Sequence, residues 1–395
     1  MRVLQLISSS GHYGAEAMAV SLSQALQKDG IGSILGVFRN SHRPNLEVAE
    51  IAKARGLQVE WVRCQGRVDR QAWLAIREVI RREQIDLLHS HGYKSHVYGY
   101  FAARGTPCRT VATCHGYYTR TSKSGFLSVA DMKVRGYREV ERVLLPRFDR
   151  VVAVSNEVAT SLRGAGVLGK RLAVIGNGID VAEFESARPA EDLLEIKGRS
   201  LAVGLVGRLI QGKGHEQLFQ AARTILAQCP GTVFFVIGDG PLRLRLADLA
   251  RELGIAKSVV FVGKRHDMPQ VYSSLDVLVL PSTAEGTPMV VIEALAAKRA
   301  VVASNVGGIP EIIDHDRTGR LIEPGNSFAL QEAILTLLKN ADLRRSLGNS
   351  GNQLVHEKYS AAQMAGKYLA EYRKLTSPNV VPPGDFRENR AEAGR

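Results

Sequence analysis

Short apolar runs alternate with helix-spaced segments along this chain, and the alternation restarts after residue 190. VLQLIS (3–8) reads as a buried strand, followed by a glycine-containing turn, Gly11-His12-Tyr13-Gly14. A helix follows in which Met18, Leu22 and Leu26 recur every four residues, closed by Gly30. Further strands are expected at 33–38, 58–62, 85–89, 110–114 and 151–155. In the second half, LAVGLVG (201–207), TVFFVIG (232–238), VVFVG (259–263), DVLVLPS (276–282) and AVVASN (300–305) repeat the pattern, with a helix over 215–228. Apolar strands separated by helices imply α/β architecture, with parallel sheets covered on both faces. Two successive units imply two doubly wound domains facing each other across a cleft. In such sheets ligands sit beyond the carboxyl ends of the strands.

The 395 residues suit two domains, each of about 150–200 residues. We expect a first domain over 1–188 and a second over 189–360, with a loose acid-, Ala- and Pro-rich junction at 183–198. A closing helix near 361–375 should pack back on the first domain, ahead of a disordered Pro/Gly/charged tail at 377–395. No apolar stretch reaches membrane-spanning length, and MRVLQLISSS is too short in its apolar run for a secretory signal. Four scattered cysteines without metal-ligand spacing fit free thiols in a reducing, cytoplasmic setting.

The chemistry concentrates at strand ends in the second half. Arg208 and Lys213 share the loop Val206–Gly214, and two fixed cations with little bulk around them suit a diphosphate. On spacing alone a solvated basic loop explains them equally well. The stretch Glu285-Gly286-Thr287-Pro288-Met289-Val290-Val291-Ile292-Glu293 follows another strand. Pro288 suits the first turn of a helix, and the free N–H groups around Thr287–Val290 attract an anion. Carboxylates on either side, Glu285 and Glu293, suit a ligand that is anionic in the middle and rich in hydroxyls at both ends. A turn acid and a surface helix acid are the plainer explanation of the same residues.

The stretch 285–293 resembles the E-x7-E motif of retaining glycosyltransferases with the GT-B fold, the group 1 family. V-G-R-L-I-Q-G-K-G (206–214), I-G-D-G-P-L (237–242), S-N-V-G-G-I-P-E (304–311) and D-R-T-G-R-L (316–321) stand in that family's order, so the likeness covers nearly all of 200–375. The resemblance implies a nucleotide-diphosphate sugar as donor substrate and no further cofactor or bound metal. It implies that Glu285 meets hydroxyls of the donor sugar and Glu293 those of the ribose. Arg208 and Lys213 would hold the diphosphate with the N–H groups of Gly286, Thr287 and Met289 beside Pro288. The base would lie near Gly263, Lys264 and Arg265.

The first half matches more loosely. Thr113-Cys114-His115-Gly116 resembles the family's H-G, whose histidine reaches the donor sugar. The loop with Gly11, Tyr13 and Gly14 resembles the family's acceptor-side G-G-A-E, with Tyr13 in place of the first glycine. Ile175–Asp180 resembles P-N-G-V-D with Gly176 in place of proline. His89 and His91 also stand at a strand end expected to face the cleft. The acceptor would be a sugar or a lipid-linked sugar, in cell-surface polysaccharide or glycolipid synthesis, with the protein a monomer or weak oligomer.

Charge adds one expectation. Residues 1–190 hold 27 Lys+Arg against 17 Asp+Glu, a net +10 of the chain's +13. The segment 117–150 combines eight basic residues with Val129, Met132, Val140, Val143 and Leu144 at roughly helical spacing. It could rest on an anionic membrane, at the inner face of the cell membrane, or be a packed helix with a solvated basic face. Nucleic acid is not expected as a partner, since no recognition motif is present and only 6% of residues are aromatic. A GT-B-fold sugar-nucleotide epimerase and a catalytically silent nucleotide-sugar-binding protein are the rival functions.

Overall fold

The computed structural model of the protein describes residues 1–8, 14–40, 46–65, 69–116 and 139–377. Two parallel sheets organise them. The first contains β1 (Arg2–Ile7), β2 (Gly32–Asn40), β3 (Gln58–Cys64), β4 (Leu87–His91), β5 (Arg109–Cys114), β6 (Arg150–Ala153) and β7 (Leu172–Val174). Its order is β3-β2-β1-β4-β5-β6-β7. The second contains β8 (Ala202–Val206), β9 (Val233–Ile237), β10 (Val259–Gly263), β11 (Val277–Leu280), β12 (Ala300–Ser304) and β13 (Arg320–Ile322), ordered β10-β9-β8-β11-β12-β13. The α/β class with two Rossmann-like sheets is therefore present. In each sheet the order reverses beside the first strand, between β1 and β4 and between β8 and β11, which opens a crevice at the strand ends.

The inner strands are almost wholly buried, as continuous Val/Ile/Leu runs require when both faces are covered, while most residues of the edge strands β3 and β10 are half-buried or exposed. β7 and β13 are three residues each and only partly buried, so they carry no periodic signal in the sequence. The junction differs from the loose segment expected. It folds into two short helices, Val181–Glu185 and Glu191–Lys197, because Phe184 and Leu193 each find an apolar pocket. The Ala190 N–H is also tied to Ser274 Oγ at 2.9 Å.

The last described helix, Ala361–Thr376, returns to the first sheet and lies against the helix Gly14–Lys28. Met364, Tyr368, Leu369 and Tyr372 join Met18, Leu22 and Leu26 in one core cluster, which continues into Leu295 and Tyr272 of the second half. An ion pair between Arg150 and Glu371, 3.0 Å, closes the edge of this contact. Residues 378–395, expected as a tail, lie outside the described residues.

The chain passes between halves close to this helix. At Gly178 an added Cβ would fall 2.6 Å from the Ser360 carbonyl oxygen and 2.8 Å from Met364 Cβ. At Gly164, by contrast, a Cβ would meet nothing within 4 Å. Gly178→Ala is therefore expected to lower unfolding free energy by about 1–3 kcal/mol, while Gly164→Ala stays near neutral. Urea unfolding of both variants checks this.

Candidate functional site

The two sheets meet at their carboxyl edges around a cavity of about 640 Å³. Ser8 after β1, Gly14 at the start of its helix and His115 after β5 line it from the first half. Gly207 and Arg208 after β8, Gly238 and Asp239 after β9, and Glu285 to Val290 after β11 line it from the second. Arg208, Lys213, His115, Glu285, Gly286, Thr287, Pro288, Met289, Glu293, Lys264, Arg265 and Gly14 thus share one cavity. Gly263 does not border it; it ends β10 behind Lys264. Gly11 and Tyr13 lie outside the described residues.

The turn after β11 is the wall shared by both halves. Pro288 is the N-cap, with extended backbone, and the helix begins one residue later than expected, as Met289–Ala296. Its first N–H groups, at Met289 and Val290, have no acceptor within the helix and border the cavity. The turn is held from behind by the first half. Asn177 Nδ2 donates to the Thr287 carbonyl at 3.1 Å, and the Thr287 hydroxyl donates to the Val154 carbonyl. The Thr287 hydroxyl is thus committed to the protein. Gly308 N–H donates to the Gly286 carbonyl at 2.8 Å. A side chain at Gly286 would place its Cβ 2.6 Å from the His115 carbonyl oxygen, so the two halves approach this closely only because glycine is there.

The charged groups are arranged in pairs. Lys213 Nζ donates to Glu285 Oε1 at 2.6 Å, in a pair whose side chains are 27% and 10% exposed. Arg208 is exposed, and among the described residues it has no ion-pair partner. Lys264 pairs with Glu47 of the opposite half, and Arg265 pairs with Asp192 and Asp267. Those two cations are therefore neutralised locally.

Glu293 is the fifth residue of its helix, just over one turn in, and accepts a hydrogen bond from the Tyr272 hydroxyl at 2.7 Å. Burial pushes its carboxyl up to about 7, with the Tyr272 hydroxyl pulling the other way. His115 sits at the cavity edge, and burial, with nearby His96 adding to it, lowers its imidazole to about 3. It is neutral at physiological pH.

His89 and His91 do not face the cleft as expected. They are 0% and 2% exposed and hydrogen-bonded inside the sheet. Among the described residues one group of three, His96, Cys114 and Glu141, lies within metal-ligand distance of one another. There His96 Nδ1 is bonded to Glu141 and its Nε2 faces the Ser90 and Thr113 carbonyls, an arrangement that pins the Glu141 segment to β4 and β5. Sequence reasoning missed Tyr272, which lies in no patterned stretch. It picked out Ile175–Asp180 by its likeness to P-N-G-V-D but gave Asn177 no part in holding the Thr287 turn.

Comparison with known proteins fits this geometry. Residues 13–183 match the family model Glycosyltransferase Family 4, and residues 192–354 match Glycosyl transferases group 1. The chain belongs to the group 1 (family 4) glycosyltransferases. This glycosyltransferase is a retaining hexosyltransferase that takes its sugar from a nucleotide sugar. It is 27% identical over 298 residues to the UDP-Gal:alpha-D-GlcNAc-diphosphoundecaprenol alpha-1,3-galactosyltransferase of Escherichia coli, across 73% of this chain and 75% of that one. It is 29% identical over 314 residues to the D-inositol 3-phosphate glycosyltransferase of Corynebacterium urealyticum, across 75% and 73%. Among solved structures, Anabaena HepE in complex with UDP-glucose superposes with a TM-score of 0.79 at 21% identity, covering 94% of this chain and 100% of that one. That likeness establishes the GT-B fold.

Glu293 yields a stability prediction whose sign is fixed. Its folded pKa of about 7 exceeds the ordinary 4.5, so between these values the folded enzyme holds the proton more tightly than the unfolded chain. Its contribution is fully present below pH 4.5 and is lost as pH rises through about 7. The stability difference between wild type and Glu293→Gln should move against wild type across that window and level off above it. Paired denaturant titrations from acid to neutral pH check this.

Proposed function

We propose that the enzyme transfers a hexose from a UDP-sugar to a hydroxyl of a lipid-linked sugar. The observation that carries this reading is the Lys213–Glu285 pair at the mouth of the Met289–Ala296 helix, inside the cavity between the sheets. In the ligand-free enzyme each group satisfies the other. A donor replaces that pair with two separate contacts: Lys213 moves to the diphosphate and Glu285 accepts from sugar hydroxyls. Arg208 and the Met289 and Val290 N–H groups complete the diphosphate site, and Glu293 receives the ribose. The base lies along the backbone beside Lys264 and Arg265.

Transfer proceeds on one face of the sugar. The bond from the anomeric carbon to the phosphate oxygen breaks as a bond to the acceptor oxygen forms on the same side. The acceptor proton passes to an oxygen of the departing phosphate. Lys213, Arg208 and the helix N-terminus stabilise the negative charge that develops there.

The UDP assignment is supported by the UDP-galactose in the name of the Escherichia coli relative and by the UDP-glucose complex of HepE. A lipid-linked acceptor is supported by the diphosphoundecaprenol in that relative's name. It is also supported by exposed Val140 and Val143 beside Arg142, at the described end of the basic segment 117–150. Residues 117–138 lie outside the described residues. No described helix is long and apolar enough to cross a membrane, so contact with anionic lipid would be peripheral, at the inner face of the cell membrane.

Lys213→Ala and Arg208→Ala are each expected to lower turnover by about 10²–10³ with the thermal unfolding transition retained; near-normal transfer by either removes the leaving-group assignment. Glu285→Gln is expected to abolish transfer while calorimetry still shows nucleotide binding. A panel of UDP-, GDP- and ADP-sugars, followed by thermal shift and slow hydrolysis, identifies the donor. Stabilisation by GDP-sugars alone would contradict the UDP assignment.

A further inference from the structure

Behind His115 lies a continuous chain of buried hydrogen-bonding groups. His115 Nε2 is 3.3 Å from His91 Nδ1, and His91 Nε2 is 2.8 Å from Gln5 Oε1. Gln5 Nε2 is 3.4 Å from the Tyr372 hydroxyl, which is 2.6 Å from His89 Nδ1. His89 Nε2 is 2.7 Å from Thr113 Oγ1, which is 3.0 Å from the Tyr368 hydroxyl. Every member except His115 is at most 2% exposed, so no water substitutes for a missing partner. The chain joins β1, β4, β5 and the returning helix Ala361–Thr376.

Burial holds His89 and His91 well below the ordinary imidazole range, so each carries one ring proton at neutral pH, as does His115. A neutral imidazole gives one hydrogen bond and accepts one. Assigning the direction of one link therefore assigns the rest. The Tyr372–His89 link decides it. At 2.6 Å it is shorter than an N–H donor normally allows and lies within the range of O–H donors, so Tyr372 donates to His89. Its only proton is then committed, and its oxygen accepts from the Gln5 amide N–H. The Gln5 carbonyl consequently faces His91 and accepts from Nε2–H. His91 Nδ1 is left as an acceptor, and it takes the proton of His115 Nε2.

We propose that Gln5, His91 and Tyr372 are positioning residues that fix the tautomer of His115, leaving a lone pair on Nδ1 toward the cavity, so that His115 receives a donor-sugar hydroxyl and turns away a phosphate oxygen. Among the described residues Nδ1 has no hydrogen-bond partner, and His115 lines the cavity beside Glu285 and Gly286. A hydroxyl can donate to that lone pair, whereas a phosphate oxygen brings only lone pairs of its own. The assignment deepens the donor reading above and rests on it for the identity of the hydroxyl. It does not rest on it for the tautomer.

The test uses the full chain labelled with ¹⁵N at histidine, in ligand-free form, with His115 assigned by its loss in His115→Gln. Long-range ¹⁵N–¹H spectra should show His115 with its proton on Nε2. In Gln5→Leu, and separately in Tyr372→Phe, the His115 signals should shift to a mixture of tautomers. The donor-sugar KM should rise about tenfold, the size of one hydrogen bond, with a smaller change in kcat and unchanged affinity for the free nucleoside diphosphate. A wild-type His115 protonated on Nδ1 would overturn the proposal. So would nucleoside diphosphate affinity falling in step with donor-sugar affinity. The spectra need no donor, so their outcome is separate from that of the Glu285→Gln test of the cavity.

Discussion

The molecule depends on one close approach, between the turn after β11 and the strand ends of the first sheet. Gly286 brings backbone against the His115 carbonyl, and Asn177 and Val154 take up the polar groups of Thr287. Buried backbone groups must find partners, and here those partners lie across the gap between sheets. The turn that starts the Met289–Ala296 helix is therefore fixed by both halves together. Its free N–H groups, the Lys213–Glu285 pair and His115 acquire their relative positions from that one contact.

From this arrangement follows the division of labour among charged groups. Lys264 and Arg265 are matched by acids and serve the geometry of the wall. Lys213 is matched only by Glu285, and Arg208 has no ion-pair partner among the described residues. Positive charge that is not locked into the wall is thus concentrated at the Lys213–Arg208 side of the cavity, where the proposed mechanism puts the departing phosphate. Behind the wall Tyr372, Gln5 and the histidines are neutral and exchange single hydrogen bonds. A low-dielectric interior makes such a chain directional, because a reversed link would leave a group unpaired.

Periodicity made the long strands and the helix His215–Gln228 legible, since their apolar faces repeat regularly. β7 and β13 escaped because three residues define no period. The junction escaped because Phe184 and Leu193 become anchors only against tertiary partners. The stretch 285–293 could be recognised as a motif, but its chemistry could not be assigned from spacing alone. The Tyr272–Glu293 bond and the carboxyl shift it moderates arise from residues 21 positions apart. His89 and His91 looked like cleft residues because they end a strand; His89 is covered by a helix almost three hundred residues later, and His91 is held between Gln5 and His115.

A crystal structure of the full chain with a non-hydrolysable UDP-hexose tests the central claim most directly. The account predicts the distal phosphate within hydrogen-bonding distance of the Met289 and Val290 N–H groups, Lys213 Nζ on a phosphate oxygen, and Glu285 released to the sugar hydroxyls. A donor bound with the Lys213–Glu285 pair still intact, or with its phosphates away from the Met289–Ala296 helix, would contradict it.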